Sequence, residues 1–203
     1  MKVSQKVKDL VREAENKLAE QFAYVEAVAF ENTVRIMDAF REHRVSEAMF
    51  NPTSGYGYDD KGRDTLDALW ADVMGAEAAF VRHNIVSGTH ALTIALFGLL
   101  RPGDIMLSIA GKPYDTLEEV IGITGETGNG SLRDFGVTYS QVDLLPDGAF
   151  DLARIEEAIK QGGERVKVVF IQRSKGYLNR KTLSVDEIGE VTAFVKSLSP
   201  DAF

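Results

Sequence analysis

Ser87, Gly88, Thr89 and His90 stand between a short apolar stretch and an unbroken helical stripe, "ALTIALFGLL". A small polar turn at a strand-to-helix junction suits an anion, because the first N–H groups of a helix have no carbonyl partner. Gly88 lets the backbone approach such a guest closely, and Thr89 adds a hydroxyl in the first turn. Taken alone, the same residues also read as a plain serine cap followed by a packing glycine. Tyr114 shifts the balance. It follows Pro113 after the apolar run "IMLSIA", so it falls, like Ser87, at the carboxyl edge of a predicted sheet. Ligands of open α/β sheets bind outside that edge. A ring beside a phosphate cup suits a flat, phosphorylated heteroaromatic molecule, and pyridoxal 5'-phosphate fits that description.

Other chemistries find less support. His43, His83 and His90 have no ligand spacing among them, and a chain without cysteine has no thiolate for zinc, disulfides or nucleophilic catalysis. Ser87 lies in "VSGTH", which lacks the G-x-S-x-G elbow of a nucleophilic serine. The glycine run "GITGETGNGS" invites a dinucleotide reading, but it follows a helix where that fingerprint requires a strand. It reads better as a connecting loop able to close over a site.

Composition narrows the field further. The 203 residues are 44% hydrophobic and 27% charged, ordinary for a globular protein with a sizeable core. A formal net charge of -8 argues against a general nucleic-acid binder, which needs basic surface to displace counterions. The opening "MKVSQKVKDLVREAENK" is charged throughout, unlike a signal peptide, and no run is long enough to span a membrane. The expected compartment is the cytoplasm, with no membrane partner.

The elements that must position these residues follow from periodicity. Val3, Val7, Leu10, Ala14 and Leu18 predict an amphipathic helix, and "AYVEAVAFENTVRIMDAFREH" predicts a second. Both are expected to pack on a domain or a partner subunit. "FNPTSGYGYDDKGRD" breaks every period and reads as an aromatic-rich loop, a type more often functional than a bare connector. Beyond Arg63 the pattern alternates. Helices are predicted in "DTLDALWADVM", in "HALTIALFGLL" (with Leu92, Ala95, Leu96 and Leu99 on one face), and in "DTLEEVIG". "DLARIEEAIKQ" is capped by Asp151, and "SVDEIGEVTAFVKSL" opens with a capping box from Ser184 to Glu187. Strands are predicted in "AEAAFVR", "IMLSIA", "GVTYSQVDL" and "VKVVFIQ", the last apolar enough for the middle of a parallel sheet. "KSLSPDAF" reads as a helix stop, a turn and two residues of a further strand. The alternation predicts an α/β layered fold with a mainly parallel sheet and right-handed crossovers.

"GYGYDD", "SGTHA", "PYDTL" and "QRSKGY", in this order, resemble the aluminium-resistance, methionine gamma-lyase-like family of fold-type-I pyridoxal-phosphate enzymes. The resemblance runs from about Phe50 to the last residue. It implies a three-layer fold-type-I large domain. Residues 1–48 would form an N-terminal helical segment and 49–203 the first part of the cofactor-binding domain, with an incomplete sheet. It further implies that Ser87, Gly88 and Thr89 hold the cofactor phosphate and that Tyr114 stacks on the pyridine ring and relays protons. Tyr56 or Tyr58 would reach a neighbouring subunit's site, and Arg173 and Ser174 would lie near the substrate. The family's pyridine-nitrogen aspartate and Schiff-base lysine are expected further along than Phe203, so this chain alone is expected to be inactive. Lys112 and Lys175 are expected as exposed surface lysines.

The implied function is the amino-terminal part of a pyridoxal-phosphate-dependent carbon–sulfur lyase-like enzyme of Cys/Met metabolism. It would perform β- or γ-elimination on a small-molecule amino-acid substrate, as a homodimer or homotetramer at full length. The competing expectation is a truncated, non-catalytic α/β domain that binds a phosphate-bearing ligand or a partner subunit.

Overall fold

The computed structural model describes residues 2–54, 56, 58 and 60–203, in two compact units, Met1–Asn84 and Ile85–Phe203. The first unit is helical. α1 (Gln5–Lys17) starts at Ser4, whose hydroxyl accepts the Val7 N–H, and α2 (Ala19–Glu42) follows after Leu18 alone. α1 buries no residue and α2 buries only Ala39, so Val7, Leu10, Phe22, Val25 and Phe30 are all exposed. Among the described residues, only the end of α2 makes part of the expected packing, with Ala39 buried and His43 paired with Asp72 at 3.4 Å.

α3 (Lys61–Met74) is capped by Asp60, which accepts from the Arg63 N–H. This helix begins inside the stretch expected to be loop. Its first turn lies against the 3-10 turn Glu47–Phe50, and a Cβ at Gly62 would collide with the Met49 carbonyl oxygen. Only glycine permits that backbone approach.

The predicted strand in "AEAAFVR" does not form. A strand needs a neighbour for its ladder, and here the backbone is satisfied otherwise: the Val81 N–H donates to Asp67 Oδ1 at 2.8 Å. Arg82 pairs with the same carboxylate oxygen at 2.6 Å, and its guanidinium lies 4.2 Å from the centre of the Phe80 ring.

The second unit is a layered α/β structure. β1 (Ile105–Ser108) pairs in parallel with β2 (Thr138–Gln141) and β3 (Val166–Phe170), giving the order β2-β1-β3. Every residue of β1 is buried, because successive side chains enter opposite cores. Ile105, Leu107 and Ile109 pack with Val142, Ile155, Ile159, Val191 and Val195. These last four come from α6 (Leu152–Gly162) and α7 (Val185–Leu198). Met106 packs on the other face with Leu96, Leu100, Leu117 and Ile121, from or beside α4 (Gly88–Leu99) and α5 (Asp115–Ile121). The sheet is thus covered by helices on both faces.

Beyond β1, the other flank of β3 is taken by the last residue. The Phe203 N–H donates to the Lys167 carbonyl and the Phe203 carbonyl accepts from Val169, both at 2.8 Å. These two bonds lay Phe203 along β3, although no strand forms in "KSLSPDAF" among the described residues.

Two helix starts match the sequence reading. Asp151 accepts from the Arg154 N–H, and Ser184 and Glu187 form the full capping box. The face expected for α4 does not match. Leu96 is buried, but Leu92 and Leu99 remain exposed, because this helix is apolar around most of its circumference. Among the described residues, no helix is long and apolar enough to cross a membrane.

Candidate functional site

The Ser87–His90 turn forms the start of α4 as expected. Ser87 is extended at the cap position, and its Oγ accepts the His90 N–H at 3.1 Å. The Ser87 carbonyl takes the Ala91 N–H. Helix geometry then leaves the Gly88 and Thr89 N–H groups without a partner in the helix. A Cβ at Gly88 would meet nothing within 4 Å, so the backbone is uncrowded on that side.

Thr89 connects this turn to the next helix. Its hydroxyl oxygen lies 2.9 Å from that of Thr116, in the first turn of α5. Tyr114 is the residue just before α5, where β1 has ended and the chain has turned through "SIAGKP". The starts of two helices therefore meet at the carboxyl end of β1, as expected from the sequence. Thr116, within "PYDTL", is a contact that residue type alone does not reveal. Its position two residues after Tyr114, in a helix start, was the available signal.

Tyr114 is held by the segment after β3. Its backbone N–H donates to Gln172 Oε1 at 2.7 Å, and its ring stacks on that of Tyr177 with centroids 6.3 Å apart and planes at 24°. The paired Tyr177 hydroxyl, with the charges of Tyr177 and Asp115, holds the Tyr114 phenol above its ordinary value. Arg173 and Ser174 belong to the same segment. Arg173 Nε donates to the Leu183 carbonyl at 3.1 Å, and the Ser174 carbonyl accepts from Gln172 Nε2 at 3.0 Å.

Lys112 pairs with Glu118 at 2.9 Å, and the Glu118 side chain is only 11% exposed. The Lys112 side chain stays half exposed, as expected of a surface lysine, while its ammonium meets a nearly buried carboxylate. Lys175 is exposed. A hollow of about 680 Å³ at this edge is lined by Lys112, Asp143, Asp147, Arg180 and Lys181, and by none of the cup residues. The glycine run 122–131 is tied down by Asp134, whose carboxylate accepts from the N–H groups of Gly128, Gly130 and Ser131. Those three bonds hold the Asp134 carboxyl below its usual range.

Tyr56 and Tyr58 belong to the first unit, where both are more than four-fifths exposed. Their neighbours Gly55, Gly57 and Asp59 lie outside the described residues. A cavity of about 480 Å³ within this unit is lined by Phe40, Phe50, Asp60, Arg63, Arg82 and His83, among others.

Comparison with known proteins sets this geometry in context. A sequence model described as Methionine gamma-lyase matches residues 7–203. The chain belongs to the methionine gamma-lyase family. The uncharacterized protein YnbB of Bacillus subtilis (strain 168) is 48% identical over 193 residues, 95% of this chain and 45% of that protein. A carbon-sulfur lyase involved in aluminum resistance from Clostridium novyi NT is 44% identical. Its crystal structure superposes with a TM-score of 0.92 over 99% of this chain and 47% of that one. A Bacillus cereus protein of solved structure is 45% identical, with a TM-score of 0.90 over 98% of this chain and 48% of its own. The chain thus spans about half the length of these family members.

The residues present fit a phosphorylated aromatic group. The Gly88 and Thr89 N–H groups have no partner within the helix, the hydroxyls of Thr89 and Thr116 meet at that helix start, and Tyr114 stands just before the adjoining helix.

Proposed function

We propose that this chain is the amino-terminal, phosphate-gripping part of a pyridoxal-phosphate-dependent carbon–sulfur lyase-like enzyme acting on an amino acid by β- or γ-elimination. The observation that carries this reading is the Thr89–Thr116 hydroxyl contact, which joins the open start of α4 to the helix that follows Tyr114. Family membership supports it independently.

In this reading the Gly88 and Thr89 N–H groups bind the cofactor phosphate, and the positive end of α4 adds to their pull. Ser87 shapes the turn by spending its own oxygen on the His90 N–H. Tyr114 offers its ring to the pyridine and its hydroxyl to a proton. When bound, pyridoxal phosphate supplies an electron sink for a carbanion at the amino acid's α carbon. Arg173 and Ser174 stand on the substrate side, and Tyr56 or Tyr58 serves a neighbouring subunit's site.

The same reading includes self-association as a homodimer or homotetramer in the cytoplasm. The exposed apolar side chains of α1 and α2 are the surface that assembly would cover. Sedimentation showing only monomers at every concentration would contradict that part.

The test is a titration of the chain with pyridoxal phosphate, followed by visible absorbance, against pyridoxal alone and with inorganic phosphate as competitor. Pyridoxal phosphate is expected to bind, to be displaced by phosphate, and to outcompete pyridoxal. Equal binding of the two vitamers, or indifference to phosphate, would remove the cup assignment.

A further inference from the structure

Tyr177 is 92% exposed, yet its ring has a fixed companion in Tyr114. An aromatic side chain gains little by standing in solvent, so burial does not explain its placement. The segment that carries it is organised around Tyr114 in three ways. Gln172 accepts the Tyr114 backbone N–H at 2.7 Å. Gly176, at φ +53°, presses against the ring, since a Cβ there would lie 3.0 Å from Tyr114 Cδ2. Tyr177 then stacks on the same ring.

The segment also has its own brace. Arg180 Nη2 donates to the carbonyls of Gln172 at 3.0 Å and Ser174 at 3.3 Å, and Nη1 donates to the Lys181 carbonyl at 3.1 Å. Gln172 Nε2 closes the loop onto Ser174. Residues 172–181 therefore form a self-tied turn whose contacts with Tyr114 come from both its backbone and its side chains.

We infer that Tyr177 is a positioning residue that, by its offset stacking on Tyr114, fixes the orientation of that ring for a flat guest. The inference rests on the reading of Tyr114 as the cofactor's ring partner. It assigns the segment after β3 a part in aligning the cofactor before any substrate arrives. A stacked aromatic pair of this kind is worth about 2- to 10-fold in an equilibrium that depends on the ring's orientation.

The experiment uses the whole chain with Tyr177→Ala, Tyr177→Phe and Tyr114→Phe. Two quantities are read: the alkaline titration of Tyr114, taken as the difference from Tyr114→Phe, and the affinity for pyridoxal phosphate. Tyr177 and Asp115 are the groups that raise the Tyr114 phenol, so removing the Tyr177 hydroxyl lowers its midpoint toward the ordinary value. Both Tyr177 variants are expected to show that fall. Tyr177→Ala should also weaken pyridoxal phosphate about 2- to 10-fold, while Tyr177→Phe keeps the affinity because it keeps the ring. If Tyr177→Ala leaves both quantities as in the parent chain, or weakens binding while the Tyr114 titration stays put, Tyr177 does not act through Tyr114. If the titration shifts but the parent chain ignores pyridoxal phosphate, the positioning contact stands and the cofactor reading falls.

Discussion

The hydroxyl oxygens of Thr89 and Thr116 lie 2.9 Å apart, joining the first turn of α4 to the first turn of α5. Two hydroxyls sharing one hydrogen bond leave the second O–H hydrogen unspent. It remains available to an anion at the cup. Thr116→Val removes the bridge while conserving shape, and Thr89 keeps its own O–H. Loss of the neutral hydrogen bond that orients the Thr89 hydroxyl, about 0.5–1.5 kcal/mol, would weaken pyridoxal phosphate about 2- to 10-fold. Affinity for pyridoxal, which has no phosphate, should change far less.

Ser87 offers a separate prediction about stability. Its side chain caps α4 through the His90 N–H, so Ser87→Ala should cost about 1 kcal/mol. Urea unfolding at constant slope would show the shift in midpoint. Ser87→Asp keeps the capping oxygen but adds a negative charge, so it should hold stability and impair phosphate binding.

Gly62 is required by space. A methyl group there meets the Met49 carbonyl oxygen, which belongs to backbone and cannot swing aside. Gly62→Ala is expected to destabilise the first unit by about 1–3 kcal/mol, the usual cost of overpacking. The near-ultraviolet signal of Trp70, on α3, reports on that unit.

Glu187 links α7 to pH. Its carboxyl falls from an ordinary 4.5 to about 2, first through the Lys181 ion pair and then through the Ser184 N–H and hydroxyl. A depressed carboxyl contributes stability above its unfolded value and loses it as pH falls toward the folded one. The difference in urea midpoint between the parent chain and Glu187→Gln should therefore be full at neutral pH. It should shrink between about pH 4.5 and 2 and vanish below. A constant difference across that range would exclude the ion pair and the capping box as its source.

The features legible from sequence were those fixed by neighbours along the chain. The Asp151 cap and the Ser184–Glu187 box depend on residues three apart, and both formed. The parallel strands β1 and β3 were readable because each is a short apolar run between turns. "AEAAFVR" has the same look, but strand formation depends on a partner that local composition does not reveal. The inner face of α4 was hidden because Leu92 and Leu99 are as apolar as Leu96. In the site, the helix start at Ser87–Thr89 followed from residue type. The contacts from Thr116 and from Tyr177 did not, since each lies far along the chain from its partner. Gly128 and Gly130 looked like free loop until Asp134 supplied the acceptor that gathers them.

Tyr139, on β2, bears on how such contacts can be observed. Burial pushes its phenol up to about 12, and its hydroxyl donates to Gln141 at 2.7 Å. Of the chain's 6 tyrosines, this one stays silent through most of an alkaline titration. The ultraviolet change at moderately alkaline pH then carries no contribution from the sheet. It becomes a clean optical channel for the exposed rings, among which the Tyr114 and Tyr177 pair can be followed.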